Sequence, residues 1–201
     1  RSAIKKRETI GLIGDYDADG ITGTAQLVRF FRRHGTEPVV ILPHRQKHGY
    51  GVRAEFIDHM HAKGASLLLT IDTGISHAAE LHHARELGMD VIVTDHHSVP
   101  DELPDALLVH PTAKTPHINP HLSGAGVVFT LIRALEKDSW EGQDIDSALA
   151  AIGIVADVVP LLGENRTIVQ LGLEAMMRGK GAPIFDLARS ICKENERLTS
   201  T

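Results

Sequence analysis

Short, almost wholly apolar runs alternate along this chain with longer stretches in which apolar residues recur every three or four positions. The runs at Ile10 to Ile13, between Pro38 and Pro43, at Ser66 to Ile71, at Asp90 to Thr94 and at Ala106 to Val109 read as buried strands. Helical patterns lie between them. One follows Gly20, with Ile21, Ala25, Val28 and Phe31 on one face, Arg29 and Arg33 beside it, and Gly35 as its stop. Two more span about 52–63, stopped by Gly64, and 76–87, with Ser76 as N-cap and Gly88 as the stop. Residues 1–9 read as the end of a helix or a linker. From Leu122 to about Met177 the pattern is mostly helical. Ser123-Gly-Ala-Gly opens one helix, Ile145 to Ile154 carries a second, Pro160 and Gly163 break the chain, and Thr167 to Met177 forms a third.

This alternation predicts an α/β fold: a Rossmann-like sheet of about five mainly parallel strands with helices on both faces, followed by a mostly helical C-terminal part. One domain is expected over residues 1–182. The turn-rich Gly179-Lys-Gly-Ala-Pro183 then leads into a terminal helix at 183–201.

Three of the strands run straight into chemistry. The first ends in Asp15-Tyr-Asp17-Ala-Asp19-Gly20, the third in Asp72-Thr-Gly74, and the fourth in Asp95-His96-His97. Parallel strands point their C-termini to one edge, where ligands bind in such sheets, so the three ends converge by topology. Aspartates at alternate positions repel unless a cation lies between them. Asp and Gly also populate turns and caps, and for this triple alone the two readings weigh equally. Asp157, in Val-Ala-Asp-Val-Val-Pro, is an acid inside an apolar stretch and calls for a partner. Together these residues suit two cations with oxygen-rich ligands: Mn²⁺ or Mg²⁺, with imidazole favouring Mn²⁺. Two such ions, about 3.5–4 Å apart, can activate water and clamp both oxygens of an in-line phosphoryl displacement.

Phosphate needs further donors. The helix N-terminus at Ser123, Gly124 and Gly126 offers free N–H groups to an anion, although capping and close helix packing explain the same residues. In the polar loop 44–51, Arg45 can fork onto phosphate, Tyr50 can stack on a base, and His48 stands between them. A Ser-His-Asp arrangement from Ser76, His77 and Asp72 lacks the nucleophile elbow such chemistry uses.

Bulk properties adjust this picture only at the margins. The 201 residues are 42% hydrophobic and 23% charged, which is ordinary globular composition. The net charge of −5 hides an asymmetry: residues 1–63 hold 11 Lys and Arg against 7 Asp and Glu. That third can present a local phosphate-binding surface, or simply a solvated charged face. Cys192 is the single cysteine, so an internal disulfide is excluded, and no apolar run reaches the length of a membrane span. The chain starts at Arg1 without an apolar leader. It is expected to be a piece of a longer cytoplasmic protein.

Gly-Asp15-Tyr-Asp17-Ala-Asp19-Gly, Asp72-Thr-Gly-Ile-Ser, Thr-Asp95-His96-His97, Ile-Asn119-Pro, Ser123-Gly-Ala-Gly-Val and Val-Ala-Asp157-Val-Val-Pro together resemble the DHH phosphoesterase superfamily. Their wording and order, over about residues 9–178, resemble its RecJ family of 5′ single-strand-DNA exonucleases. The resemblance implies a first metal on Asp17 and Asp72 with Asp15 in its shell. It implies a second on Asp19, Asp72, His96 and Asp157, so that Asp72 bridges. It further implies His97 at the scissile phosphate or leaving oxygen, Asp95 orienting a histidine, and Arg45 on phosphate. Ile13 stands where other branches carry a histidine, which leaves the first metal's ligand set least determined. The substrate implied is single-stranded DNA, degraded to 5′-mononucleotides in repair and recombination. A second domain, and contact with single-strand-binding protein through regions beyond this chain, are implied as well. The alternatives are an oligoribonuclease, a cyclic-dinucleotide phosphodiesterase, a manganese pyrophosphatase, or a non-catalytic DNA-binding scaffold.

Overall fold

In the computed structural model, which describes residues 1–114, 116–137, 140–179 and 183–191, five strands form one sheet in the order β2-β1-β3-β4-β5. The strands are β1 (Thr9–Gly14), β2 (Val39–Ile41), β3 (Ala65–Ile71), β4 (Asp90–Thr94) and β5 (Leu107–Val109). Every neighbouring pair is parallel, where the sequence reading expected only a mainly parallel sheet. The helices are α1 (Ser2–Lys6), α2 (Ala18–Arg33), α3 (Ala54–Ala62), α4 (Ala78–Glu86), α5 (Gly124–Glu136), α6 (Gln143–Ala156), α7 (Gly163–Arg178) and α8 (Pro183–Ile191).

Strand alternation explains the two covered faces. Ile10 and Leu12 of β1, with Leu69 and Ile71 of β3, pack on Leu27, Phe30 and Phe31 of α2 and on Val128 and Ile132 of α5. The intervening Ile13, Leu68, Val91 and Val93 pack on Phe56, Ile57 and Met60 of α3 and on Leu81 and Ala84 of α4. Both faces of each central strand are thereby buried, which is why these strands read as continuous apolar runs. A third cluster, including Phe129, Ala148, Ala151, Ile154, Ile168, Val169 and Phe185, joins α5 to α8 as the helical part.

One buried charge ties the two parts together. Asp146, in the first turn of α6, is fully buried and accepts from Arg29 Nε at 2.5 Å, Arg33 Nη1 at 2.8 Å and Trp140 Nε1 at 2.7 Å. Arg29 and Arg33, read as flanking residues of α2, are its partners.

Some boundaries differ from expectation for local reasons. Ser76 makes no cap, because α4 begins at Ala78 with His77 in the cap position. Gly163, expected as a breaker, is the first residue of α7, where a φ of 49° turns the chain into the helix. Residues 192–201 of the expected terminal helix, with Cys192, lie outside the described residues. No helix among the described residues is long and apolar enough to cross a membrane.

Candidate metal centre

The strand order puts the functional loops side by side. From β1 the chain moves outward to β2 and returns on the other side as β3, so the crevice at the carboxyl edge opens between β1 and β3. Asp15 follows β1 directly and Asp72 follows β3 directly. The β4 end supplies Asp95, His96 and His97, while Asp157 caps the C-terminus of α6.

Asp17 is the N-cap of α2 and accepts from Gly20 N–H at 2.9 Å. The capping explanation of the aspartate triple is therefore correct for this residue, and it does not exclude the metal one. Ligand atoms of Asp15, Asp17 and Asp72 lie within 4.8 Å of one another, as do those of Asp19, His96 and Asp157 and those of Asp72, His96 and His97. Asp72 thus stands in the first cluster and meets the second through His96, whose Nε2 is 3.1 Å from Asp72 Oδ1, 3.7 Å from Asp157 Oδ2 and 3.9 Å from Asp19 Oδ2.

Asp72 has a φ of 60°, a left-handed conformation that costs an L-residue energy and persists only where its surroundings impose it. Gly124 is part of that imposition: a Cβ there would lie 2.6 Å from the Cβ and Oδ1 of Asp72. Only a glycine lets α5 come this close.

The donors at the start of α5 are committed. Ser123 Oγ donates to Asp19 Oδ1 at 2.8 Å, Gly124 N–H to Asp19 Oδ2 at 2.6 Å, and Ala125 N–H to Asp19 Oδ1 at 3.0 Å. Gly126 N–H is directed at Ser123 Oγ. The anion expected at this helix N-terminus is a side chain of the protein itself, so Ser123, Gly124 and Gly126 hold a metal-ligand candidate in place and leave these donors none to spare for phosphate.

Asp95 is fully buried and, among the described residues, falls in none of these clusters. It accepts from the N–H groups of Ile75, His96 and His97, and from His97 Nδ1–H at 2.8 Å. These donors overcome burial and hold its carboxyl below the usual range, while the same bond raises His97. With Nδ1 turned to Asp95, His97 Nε2 faces outward from a side chain that is 43% exposed. Tyr50 O–H stands 3.3 Å from His97 Nδ1. Arg45 lies over the Tyr16 ring, 4.6 Å from its centroid. His48 Nδ1 accepts from His44 N–H at 2.9 Å and closes the 44–48 turn, which is a use the sequence did not announce.

The donor set fits divalent cations. Asp15 Oδ1 and Asp72 Oδ1 are buried without a hydrogen bond. His96 Nε2 approaches Asp72 Oδ1 without hydrogen-bond geometry, as two atoms do when both face a third. Burial, reinforced by Asp19 and Asp17, pushes Asp72 up to about 7 in spite of His96. Burial presses His96 down, but Asp72, Asp157 and Asp19 outweigh it and lift the ring to about 9. Burial likewise raises Asp15, Asp19 and Asp157.

The pH dependence follows from these directions. Asp72 is raised above the ordinary 3.8 and His96 above the ordinary 6.5. Their contributions to metal-free stability are therefore present at low pH and lost as pH rises, through about 7 for Asp72 and about 9 for His96. Cation binding displaces those protons, so apparent affinity should rise about tenfold per pH unit for each proton displaced. Melting curves with and without Mn²⁺ between pH 6 and pH 8.5 test this. The Mn²⁺-induced gain should widen with pH, and a flat or narrowing gain would contradict the assignment.

Fold and site together define a class: a parallel α/β domain that gathers carboxylates and histidines for divalent cations at the carboxyl edge of its sheet. The chain belongs to the DHH family, whose N-terminal domain it matches over residues 9–156. It is 44% identical over 172 residues to the single-stranded-DNA-specific exonuclease RecJ of Thermus thermophilus, covering 85% of this chain and 26% of that protein. It is 42% identical over 182 residues to RecJ of Bacillus subtilis, covering 89% of this chain and 22% of that one. A crystal structure of exonuclease RecJ bound to manganese superposes with a TM-score of 0.85 at 40% identity, covering 94% of this chain and 49% of that one. RecJ of Thermus thermophilus in complex with Mn²⁺ superposes with a TM-score of 0.80 at 37% identity, covering 94% of this chain and 28% of that one. The chain thus spans about a quarter of the length of these two curated relatives.

Proposed function

We propose that this chain is the metal-binding catalytic domain of a RecJ-like exonuclease, which hydrolyses single-stranded DNA from the 5′ end to 5′-mononucleotides with two Mn²⁺ or Mg²⁺ ions. The observation that carries the reading is the pair of clusters linked by the contact of Asp72 with His96. Asp15, Asp17 and Asp72 would hold one ion, and Asp19, Asp72, His96 and Asp157 the other. The ions would supply Lewis-acid charge to the phosphoryl transition state and activate water.

The protein's own groups arrange the rest. Asp19, fixed by Ser123 and the Gly124 and Ala125 amides, keeps its orientation as charge changes around it. Arg45, braced on Tyr16, offers a planar fork to a phosphate at the mouth of the crevice. His97, with Nδ1–H on Asp95, presents Nε2 to take or give a proton at the phosphate or leaving oxygen. Exposed Tyr50, next to His97, gives an unpaired base a ring to stack on.

A domain boundary at 182/183, drawn from the turn-rich junction in the sequence, a cytoplasmic setting and a partnership with single-strand-binding protein belong to the same proposal. The test offers 5′-phosphorylated single-stranded DNA, a short RNA, a cyclic dinucleotide and pyrophosphate, each with Mn²⁺. DNA is expected to be cleaved fastest, with release of mononucleotides. Faster turnover of pyrophosphate or the cyclic dinucleotide would assign the domain to another branch of the family.

A further inference from the structure

Beyond the residues at the clusters, we propose that His110 is the positioning residue that fixes His97 for the phosphodiester reaction. It rests on the reading just given.

His110 follows β5, the strand paired with β4, and it is 8% exposed. Both ring nitrogens are used. Thr112 N–H donates to His110 Nδ1 at 3.1 Å, so Nδ1 must be the acceptor and the proton resides on Nε2. That Nε2–H donates to the backbone carbonyl of His97 at 2.8 Å. His97 is therefore held at every point where it could turn. Its N–H and Nδ1–H go to Asp95, and its carbonyl goes to His110. Of the anchors on the His97 backbone, the carbonyl bond is the one that comes from outside the Asp95-His96-His97 turn, while Tyr50 O–H meets the ring, 3.3 Å from Nδ1. Without it the peptide after His97 loses its outside anchor, and the Nε2 direction is left to Asp95 and to Tyr50 beside the ring. Displacements of this kind, well below an ångström to about 1 Å, suffice to cost rate when a group must meet a reacting atom.

Two substitutions separate the two hydrogen bonds. In His110→Asn, the amide oxygen replaces Nδ1 as acceptor for Thr112 N–H, and nothing reaches the His97 carbonyl. In His110→Gln, the longer amide places an N–H donor where Nε2–H was. With Mn²⁺ and 5′-phosphorylated single-stranded DNA, His110→Asn should lower kcat by about tenfold or more while KM and Mn²⁺ affinity stay within about twofold. His110→Gln should recover at least about half of the wild-type kcat. In long-range ¹H–¹⁵N spectra of the metal-free protein, the His97 ring signals should move or broaden in His110→Asn and stay in place in His110→Gln. A wild-type kcat in His110→Asn, equal impairment of both variants, or unmoved His97 signals in His110→Asn would overturn the assignment. Should the wild-type domain cleave pyrophosphate or the cyclic dinucleotide but no DNA, the exonuclease reading fails, and the His97 signals still decide the role of His110.

Discussion

Asp72→Asn is expected to lower Mn²⁺-dependent hydrolysis by about a hundredfold or more and, at pH 8, to make the metal-free protein more heat-stable than the wild type. Asparagine is the informative replacement because it tolerates the φ of 60° and keeps the shape that fits beneath Gly124. Only the charge is lost. That charge sits 2% exposed among Asp17 and Asp19, in surroundings that lift its carboxyl to about 7 even with His96 beside it. At pH 8 the metal-free wild type must keep it ionised against the cost of burial and the neighbouring acids, which the His96 imidazolium offsets only in part. Relief of that cost should be of order 1 kcal/mol or more, or about 2–4 °C in Tm. The Mn²⁺-induced rise in Tm should shrink at the same time, since Asp72 joins both clusters. A variant that is less stable than the wild type without metal, or that still gains full stability from Mn²⁺, would show that Asp72 serves packing rather than cations.

Gly124→Ala should weaken Mn²⁺ binding by about 10- to 100-fold with a stability loss of only about 1–3 kcal/mol. The new Cβ would have to share space with Asp72, 2.6 Å from its Cβ and Oδ1, on the segment whose amides hold Asp19. Neither acid can yield without moving its ligand atoms. Gly126→Ala, two residues along the same helix, supplies the contrast. A Cβ there meets Leu122 Cδ2 at 3.2 Å and Ile154 at 3.6 Å, and the ends of apolar side chains can give way. Calorimetric titration of both variants with Mn²⁺, beside their melting curves, reads the difference. Equal metal affinity in the two would remove Gly124 from the site.

The sheet and its carboxyl edge were legible because buried parallel strands leave a plain sequence mark, and a run such as Val91 to Thr94 followed by Asp95-His96-His97 has no packing explanation. What escaped the sequence depends on contacts between distant segments. Asp19 meets Ser123 and its neighbours across more than a hundred residues, so the start of α5 read as an open anion site when its anion was already in the chain. His110 carried no signal at all. It is a single histidine after a three-residue strand, and its role appears only when β5 is laid against β4. Asp146 was hidden for a similar reason, since its cationic partners lie on α2. Ser76 failed as a cap because the β3 to α4 turn runs one residue further than the pattern implied.

The order of the ligands along the chain has a consequence during synthesis. Asp15, Asp17 and Asp72 emerge before His96 and Asp157, and their strands, β1 and β3, pair directly with each other. Asp157, and the amides that steady Asp19, come only with the helices that follow. A nascent chain that has just passed β3 and Asp72 already carries every side chain of one cluster, and of the other only Asp19 and the shared Asp72. On the ligand assignment proposed above, the two ions would therefore not need the same length of chain. One set of side chains is complete at Asp72, and the other only once Asp157 follows α6.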